Sequence, residues 1–338
     1  MTSELSERAQ ALHAASVVWD AHTCLPLLPG QSMDALERHR AAGVTFVSVN
    51  VGMDFNPIPQ VMRVIAGFRS WLAANGDRFL LAESIADVRR AKREGKVAVA
   101  FDLEGSAMLD DDLAMLRLYR DLGVRQIHLA YNRDNSIAGG CHGADVPLTP
   151  LGRRVVDEIN RVGLLMDCSH SGYRTSMEVM ERSSRPVIFS HSNPKALKNH
   201  ARNITDEQIR ACARTGGVVA LSGIGIFLGA NDIRTETLLR HIDYVVERVG
   251  VDHVGLGLDY VFDRHVTDTP PGLDRRQWWP PGHEYGEQEF EMEIVPPERF
   301  PELTEALLAH QYSESDAAKI IGGNMLRVAE QTWVAVDA

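Results

Sequence analysis

Eight short, almost continuously apolar runs recur along the chain, and they limit its fold more than any other feature does. They are SVVWDAH (16–22), VTFVSVNVG (44–52), KVAVAFDLEG (96–105), RQIHLAYN (125–132), LLMDCSH (164–170), PVIFSHS (186–192), GVVALSG (217–223) and HVGLGLDY (253–260). Unbroken rather than alternating apolar character predicts strands buried on both faces, the pattern of a parallel sheet. Most runs are followed by stretches such as IPQVMRVIAGFRSWLAA and DDLAMLRLYRDL, where apolar residues return at helical spacing. Strands and helices in alternation leave two architectures, an open doubly wound sheet or a closed (β/α)8 TIM barrel.

The ends of the runs choose between them. Nearly every run finishes in a polar or reactive residue: His22, Asn50, Glu104, Tyr131 with Asn132, His170, His191, Ser222 and Asp259. Barrels gather their active sites at the carboxyl ends of all strands together. A doubly wound sheet concentrates function at one switch point, often with a glycine fingerprint. GIGIFLG (223–229) and GLGLDY (255–260) both lack the third glycine, so no dinucleotide site is expected. The expectation is an α/β fold, a single (β/α)8 barrel domain over 1–338. Segment 261–300, rich in Pro, Trp and charge, is a long loop after the eighth strand, read as a lid or an oligomer contact.

With 338 residues, 44% of them hydrophobic, the chain has material for a large core. Its net charge of −11 argues against nucleic acid and anionic membrane surfaces as partners. No apolar stretch of about 20 residues predicts a membrane span, and no basic-then-apolar leader predicts a signal peptide. Four scattered cysteines do not form a disulfide framework, which points to a reducing cytoplasm.

Side chains two apart on a strand share a face, so His22 and Cys24 point the same way. His170 and His191 end consecutive strands and should be neighbours, and Glu104 ends the third. Three imidazoles, a carboxylate and a thiol around one rim exceed what one tetrahedral zinc uses. They suit two metals sharing a carboxylate. A histidine alone at a strand end is more often structural; three with a glutamate are not. Cys24 is either a ligand or a small buried hydrophobe. Asp259 reads as a proton carrier or as a partner orienting a ligand. Arg202 lies in the loop before TDEQ, a helix N-cap, where it either binds a substrate carboxylate or is structural. Asn132 falls on the face opposite Tyr131 and is read as structural. Cys141 and His142, in GGCHG, read as pocket or solvent residues rather than replacement ligands.

The motifs DAHTCLP, DLEG, YRDLGVRQIHLAYN, LMDCSHSG, PVIFSHSNPKALKNHARNITDE, GLGLD and IIGGNMLRVAEQ, in this order, resemble the membrane (renal) dipeptidase family of zinc peptidases, from about residue 16 to 330. The resemblance implies a (β/α)8 barrel with a two-zinc centre that cleaves dipeptides and similar small amides, in many members as a homodimer. It implies that His22 holds the first metal, Glu104 bridges, and His170 and His191 hold the second. Arg202 would bind the substrate's carboxylate and Asp259 would handle the proton. Two positions depart from the family pattern. Cys24 stands where the family has aspartate, so the first metal is either held differently or lost, leaving one. Tyr131 stands where mammalian relatives have a histidine that polarises the scissile carbonyl; a phenol can donate to the same oxyanion. Dipeptide hydrolysis by a metal-activated water is the reading that results. The alternative is a related amidohydrolase acting on a non-peptide amide or lactam.

Overall fold

Residues Trp19–Cys24 form strand β1, buried along its whole length, as the unbroken apolar run predicts. The structure, a computed structural model, describes residues 5–266, 269–286, 291–310 and 312–334. Further strands follow in chain order: β2 (Phe46–Met53), β3 (Phe79–Leu81), β4 (Val97–Glu104), β5 (Val124–His128) and β6 (Leu165–Asp167). Then come β7 (Val187–Phe189), β8 (Val218–Leu221), β9 (Val254–Leu256) and β10 (Tyr260–Val261). Every pairing is parallel, in the order β10-β1-β2-β4-β5-β6-β7-β8-β9.

β9 and the first residue of β10 fall in one predicted run, 253–260, and Val261, assigned to the following loop, extends that stave. A sheet that begins on β10 and ends on β9 therefore returns to itself, and the eight runs become the eight staves of a (β/α)8 barrel. β3 was not among those runs. It pairs with Val97–Val99 of β4, just before β5 takes over at Phe101. Its three residues are too few to stand out as an apolar run.

The seam is where the barrel closes. Gly257 N donates to Leu221 O and Asp259 N to His22 O, each at 3.1 Å. Leu258 N donates to the Asp20 carboxylate at 2.9 Å. A Cβ on Gly257 would lie 1.9 Å from Ser190 O, so only glycine lets the last stave pass the end of β7.

Helices cover the barrel's outside and bury their apolar faces there. Helix Asp206–Arg214 opens on a capping box between Thr205 and Gln208, the start that TDEQ predicts. Helix Thr235–Val249 buries Leu238, Ile242, Val245 and also His241. His241 Nε2–H donates to Leu228 O at 2.9 Å. Burial pushes its imidazole down from 6.5 to about 4, against the pull of that carbonyl.

This histidine makes stability pH-dependent. Below about 6.5 the unfolded chain takes up a proton that the folded chain refuses until about 4. The contribution is whole above 6.5 and is lost as pH falls to 4, by about 3 kcal/mol at most. Urea unfolding of His241→Leu should show a less stable protein at pH 7.5, because Leu228 O loses its donor. The gap to wild type should narrow towards pH 4.5. A gap independent of pH would remove His241 from the account.

Candidate active site

The carboxyl ends of the staves bring together the residues that the runs ended on. His170 Nε2, His22 Nε2 and His191 Nε2 lie 2.9, 3.5 and 3.6 Å from a single oxygen, Glu104 Oε1. Cys24 Sγ lies 3.4 Å from His22 Nε2, so the predicted shared face of β1 is present. Asp259 Oδ1 is 3.7 Å from the same nitrogen. The rings of His22 and His191 stack at 4.2 Å, and those of Tyr131 and His170 lie at 4.4 Å. All of these residues are buried.

Local backbone aims several of them. His170, Asp259 and Asn132 have φ of 66°, 57° and 60°, a left-handed conformation that side chains disfavour and that is often found where function dictates geometry. Here each strand has ended and the chain turns sharply. The turn places the side chain over the barrel mouth.

Partners fix the imidazoles in turn. His22 Nδ1 lies 3.2 Å from Asp102. His191 Nδ1 pairs with Ser190 Oγ at 2.7 Å. His170 Nδ1–H donates to Asn132 Oδ1 at 2.7 Å. Asn50 Nδ2 donates to Glu104 Oε2 at 2.5 Å. Beneath lie two more buried carboxylate–imidazole pairs, Asp20–His39 and Asp167–His128. Asn132 was expected to be structural and on the other face. Its left-handed turn instead brings it to the cavity, where it orients His170. Cys141 and His142 hold Asn132 and Tyr285, and neither belongs to a ligand group among the described residues.

Asp102, Asp20 and Ser190 were not singled out from the sequence, and Asn50 was noted only as the end of its run. Asp20 precedes His22 by two residues and Asp102 precedes Glu104 by two. The same-face rule that joined His22 to Cys24 therefore reaches both. Asp54 had no such signal. Its carboxylate accepts from the backbone N–H of Ser106 (2.7 Å), Ala107 (2.8 Å) and Tyr131 (2.8 Å), tying three loops together.

The electrostatics are those of a cation site. Burial pushes Glu104 up to about 7, although His22 and His128 draw it down. Burial takes Asp259 up to about 6, with His22 and Arg202 limiting the rise. Burial lifts the Cys24 thiol to about 12, against the pull of His22. Burial opposes charge on His22, yet Asp102, Glu104 and Cys24 hold its imidazole well above the ordinary value. Burial, then Arg202, presses His170 far down, and burial with His22 does the same to His191. Both are therefore neutral, the form that ligates. His191 Nε2 is buried with no hydrogen-bond partner. His22, Cys24 and Asp259 form one group with metal-ligand spacing, and His22, Glu104 and His191 form another. An orphaned imidazole nitrogen among converging acceptors fits a metal.

Arg202 is buried, with Nη2 3.0 Å from His170 Nε2 and its guanidinium 5.5 Å from the Phe227 ring. It faces a cavity of about 130 Å³ that also meets Cys24, Glu104, Tyr131 and Asp259. Segment 261–300 supplies much of the remaining lining, including Phe262, Trp279, Tyr285 and Met292. Residues 267–268 and 287–290 of that segment lie outside the described residues. Among the described residues, no helix is long and apolar enough to cross a membrane.

Comparison with known proteins bears on this site. The model of the membrane dipeptidases, peptidase family M19, matches residues 6–274. The dipeptidase tcpJ of Claviceps purpurea is 27% identical over 327 residues, 94% of this chain and 66% of its own length. An uncharacterised dipeptidase of Schizosaccharomyces pombe is 36% identical over 193 residues, 54% of this chain and 45% of its own. This chain thus spans just under two thirds of one curated relative and less than half of the other. Among solved structures, an amidohydrolase from Pseudomonas aeruginosa is similar with a TM-score of 0.85 and 30% identity, covering 96% of this chain and 99% of that one. A metallopeptidase from Rhodobacter sphaeroides, liganded with a phosphinate mimic of L-Ala-D-Ala, shares the fold with a TM-score of 0.75 and 24% identity, over 94% of this chain and 100% of that one.

Proposed function

The chain belongs to the membrane dipeptidase family, and from that premise we propose that it is a metal-dependent dipeptidase hydrolysing the peptide bond of short peptides. The observation that carries this reading is the convergence of three imidazole nitrogens on one oxygen of Glu104. Glu104 would be shared between two metal positions. His170 and His191 would complete one, and His22 and Cys24 the other, with Asp259 beside them. Zinc suits imidazole together with thiolate, and it is the metal we assign. A divalent cation held there supplies Lewis acidity and makes water a nucleophile near neutral pH.

The chain's own side chains do the rest. Arg202 holds the substrate's carboxylate through its planar fork. His170 can ligate only once Arg202 turns away from it, which leaves the guanidinium available to that carboxylate. Burial keeps the Tyr131 phenol protonated far above neutral pH, so it can donate to a developing oxyanion. Asp259, raised to about 6, exchanges a proton near neutrality and passes it to the departing amine. Segment 261–300 acts as the lid of a single barrel domain and limits substrate length; its place in the cavity wall supports this. A cytoplasmic location fits the four free cysteines. A homodimer is the assembly the family resemblance suggests, and sedimentation decides it.

Zinc-loaded protein should release amino acids from a panel of L,L- and L,D-dipeptides. Chelation should abolish this and added zinc restore it. Inactivity across the whole panel sinks the proposal. Cys24, and the similarity to a protein named as an amidohydrolase, favour a second reading, in which the amide is small and not a peptide. Turnover of such amides with none of dipeptides would establish it.

A further inference from the structure

The cavity has a second wall, of which the proposed chemistry uses only the Tyr131 hydroxyl. Phe55, Tyr131, Trp278 and Trp279 meet there as a box of rings. Centroids lie 5.8 Å apart for Phe55–Tyr131, 5.3 Å for Phe55–Trp278, 5.8 Å for Phe55–Trp279 and 5.8 Å for Tyr131–Trp279. Three separate segments contribute, and polar contacts hold them in place. Asp54, next to Phe55, accepts from Tyr131 N at 2.8 Å. Asn132 accepts from His170 through one end of its amide and donates to Trp278 O at 2.9 Å through the other. One side chain thereby ties a proposed metal ligand to the aromatic wall.

Phe55, Trp278 and Trp279 are nonetheless only half-buried, and Phe55, Tyr131 and Trp279 line the cavity. Large aromatic surfaces held rigid and left open at a cavity mark a place for an apolar group. We infer that this box receives the side chain of the substrate's amino-terminal residue and selects a bulky apolar or aromatic one. The inference rests on the dipeptidase reading above.

Two observations set the class and the position. The Arg275 guanidinium lies 5.0 Å from the Trp279 ring and Arg133 lies 5.6 Å from Trp278, so the two indoles, the strongest cation-attracting rings of the box, each already have one. A substrate lysine is therefore disfavoured. Arg202 sits on Phe227, whose cluster with Ile224 and Tyr285 meets the box at Trp279 and includes neither Phe55 nor Tyr131. A carboxylate on Arg202 keeps the carboxyl-terminal residue at that wall, and the residue across the scissile bond then faces the box.

The test compares kcat/KM for Phe-Ala, Leu-Ala, Ala-Ala, Lys-Ala and Ala-Phe on wild type, Phe55→Ala and Phe55→Leu. Wild type should prefer Phe-Ala to Ala-Ala by about tenfold or more, with Lys-Ala poorest. Phe55→Ala should lower kcat/KM on Phe-Ala several-fold more than on Ala-Ala, erasing most of that preference; Phe55→Leu should keep part of it. Equal rates on Phe-Ala and Ala-Ala, a preference for Ala-Phe, or a uniform loss in Phe55→Ala overturns the inference. If no dipeptide is turned over, the dipeptidase reading fails and binding decides the inference separately. Tryptophan quenching by Phe-Ala but not Ala-Ala, lost in Phe55→Ala, upholds the box; absent or equal quenching overturns it.

Discussion

Glu104→Gln should strip the protein of bound metal and lower dipeptide kcat/KM by about 10³-fold or more. One oxygen of Glu104 stands opposite three imidazole nitrogens. Asn50 holds the other oxygen, which leaves the carboxylate no freedom to turn. An amide has no charge to share and offers one acceptor in place of two. It would also set an N–H where an acceptor is needed, either towards Asn50 or towards the histidines. Elemental analysis gives the metal content, and circular dichroism separates a lost site from a lost fold. A folded Glu104→Gln protein with full metal and full rate would falsify the shared-carboxylate assignment.

The second large effect concerns Cys24. Its thiol, pushed up to about 12 by burial, is protonated at neutral pH. A metal must expel that proton to bind sulfur, so the apparent metal affinity at this position should rise by at least about tenfold per pH unit over the neutral range. Cys24→Asp puts back the residue found in the wider family, and a carboxylate gives up its proton far more readily. It should keep two metals and hold them to lower pH than wild type. Cys24→Ser should lose one metal and most of the dipeptidase activity. Metal titration of the three proteins between pH 6 and 8 reads both effects. Identical stoichiometry and pH dependence in all three would show that sulfur is not a ligand.

The barrel was legible because each stave is buried on both faces, and such a strand must be apolar along its length. The candidate site was legible because those same runs end in polar side chains, and the barrel brings their ends together. His22, Glu104, His170, His191 and Asp259 each interrupt an apolar pattern, and the structure places all five within one group of contacts. What did not show was the layer behind them. Asp102 and Asp20 lie inside strands, two residues upstream of a site residue, and serve the same face. Asn132 was misplaced because the same-face rule assumes extended backbone, and at φ 60° the chain has left the strand. Asp54 and the aromatic box depend on loops that meet only after the staves are arranged. No local spacing encodes such a meeting.

The divided eighth stave has a consequence for how the protein comes into being. Asp20 and Leu258, joined across the seam, are separated by 238 positions in the chain. Asp259, in the same stretch, completes the group around His22 and Cys24. During synthesis the first half of the barrel emerges with an unsealed edge and with only part of its ligand set. Contacts this distant in sequence are made late. Until the eighth stave docks, the group around His22 and Cys24 lacks Asp259. Catalytic competence arrives in the same step that seals the sheet, so a truncated product should be neither a stable barrel nor an unregulated peptidase.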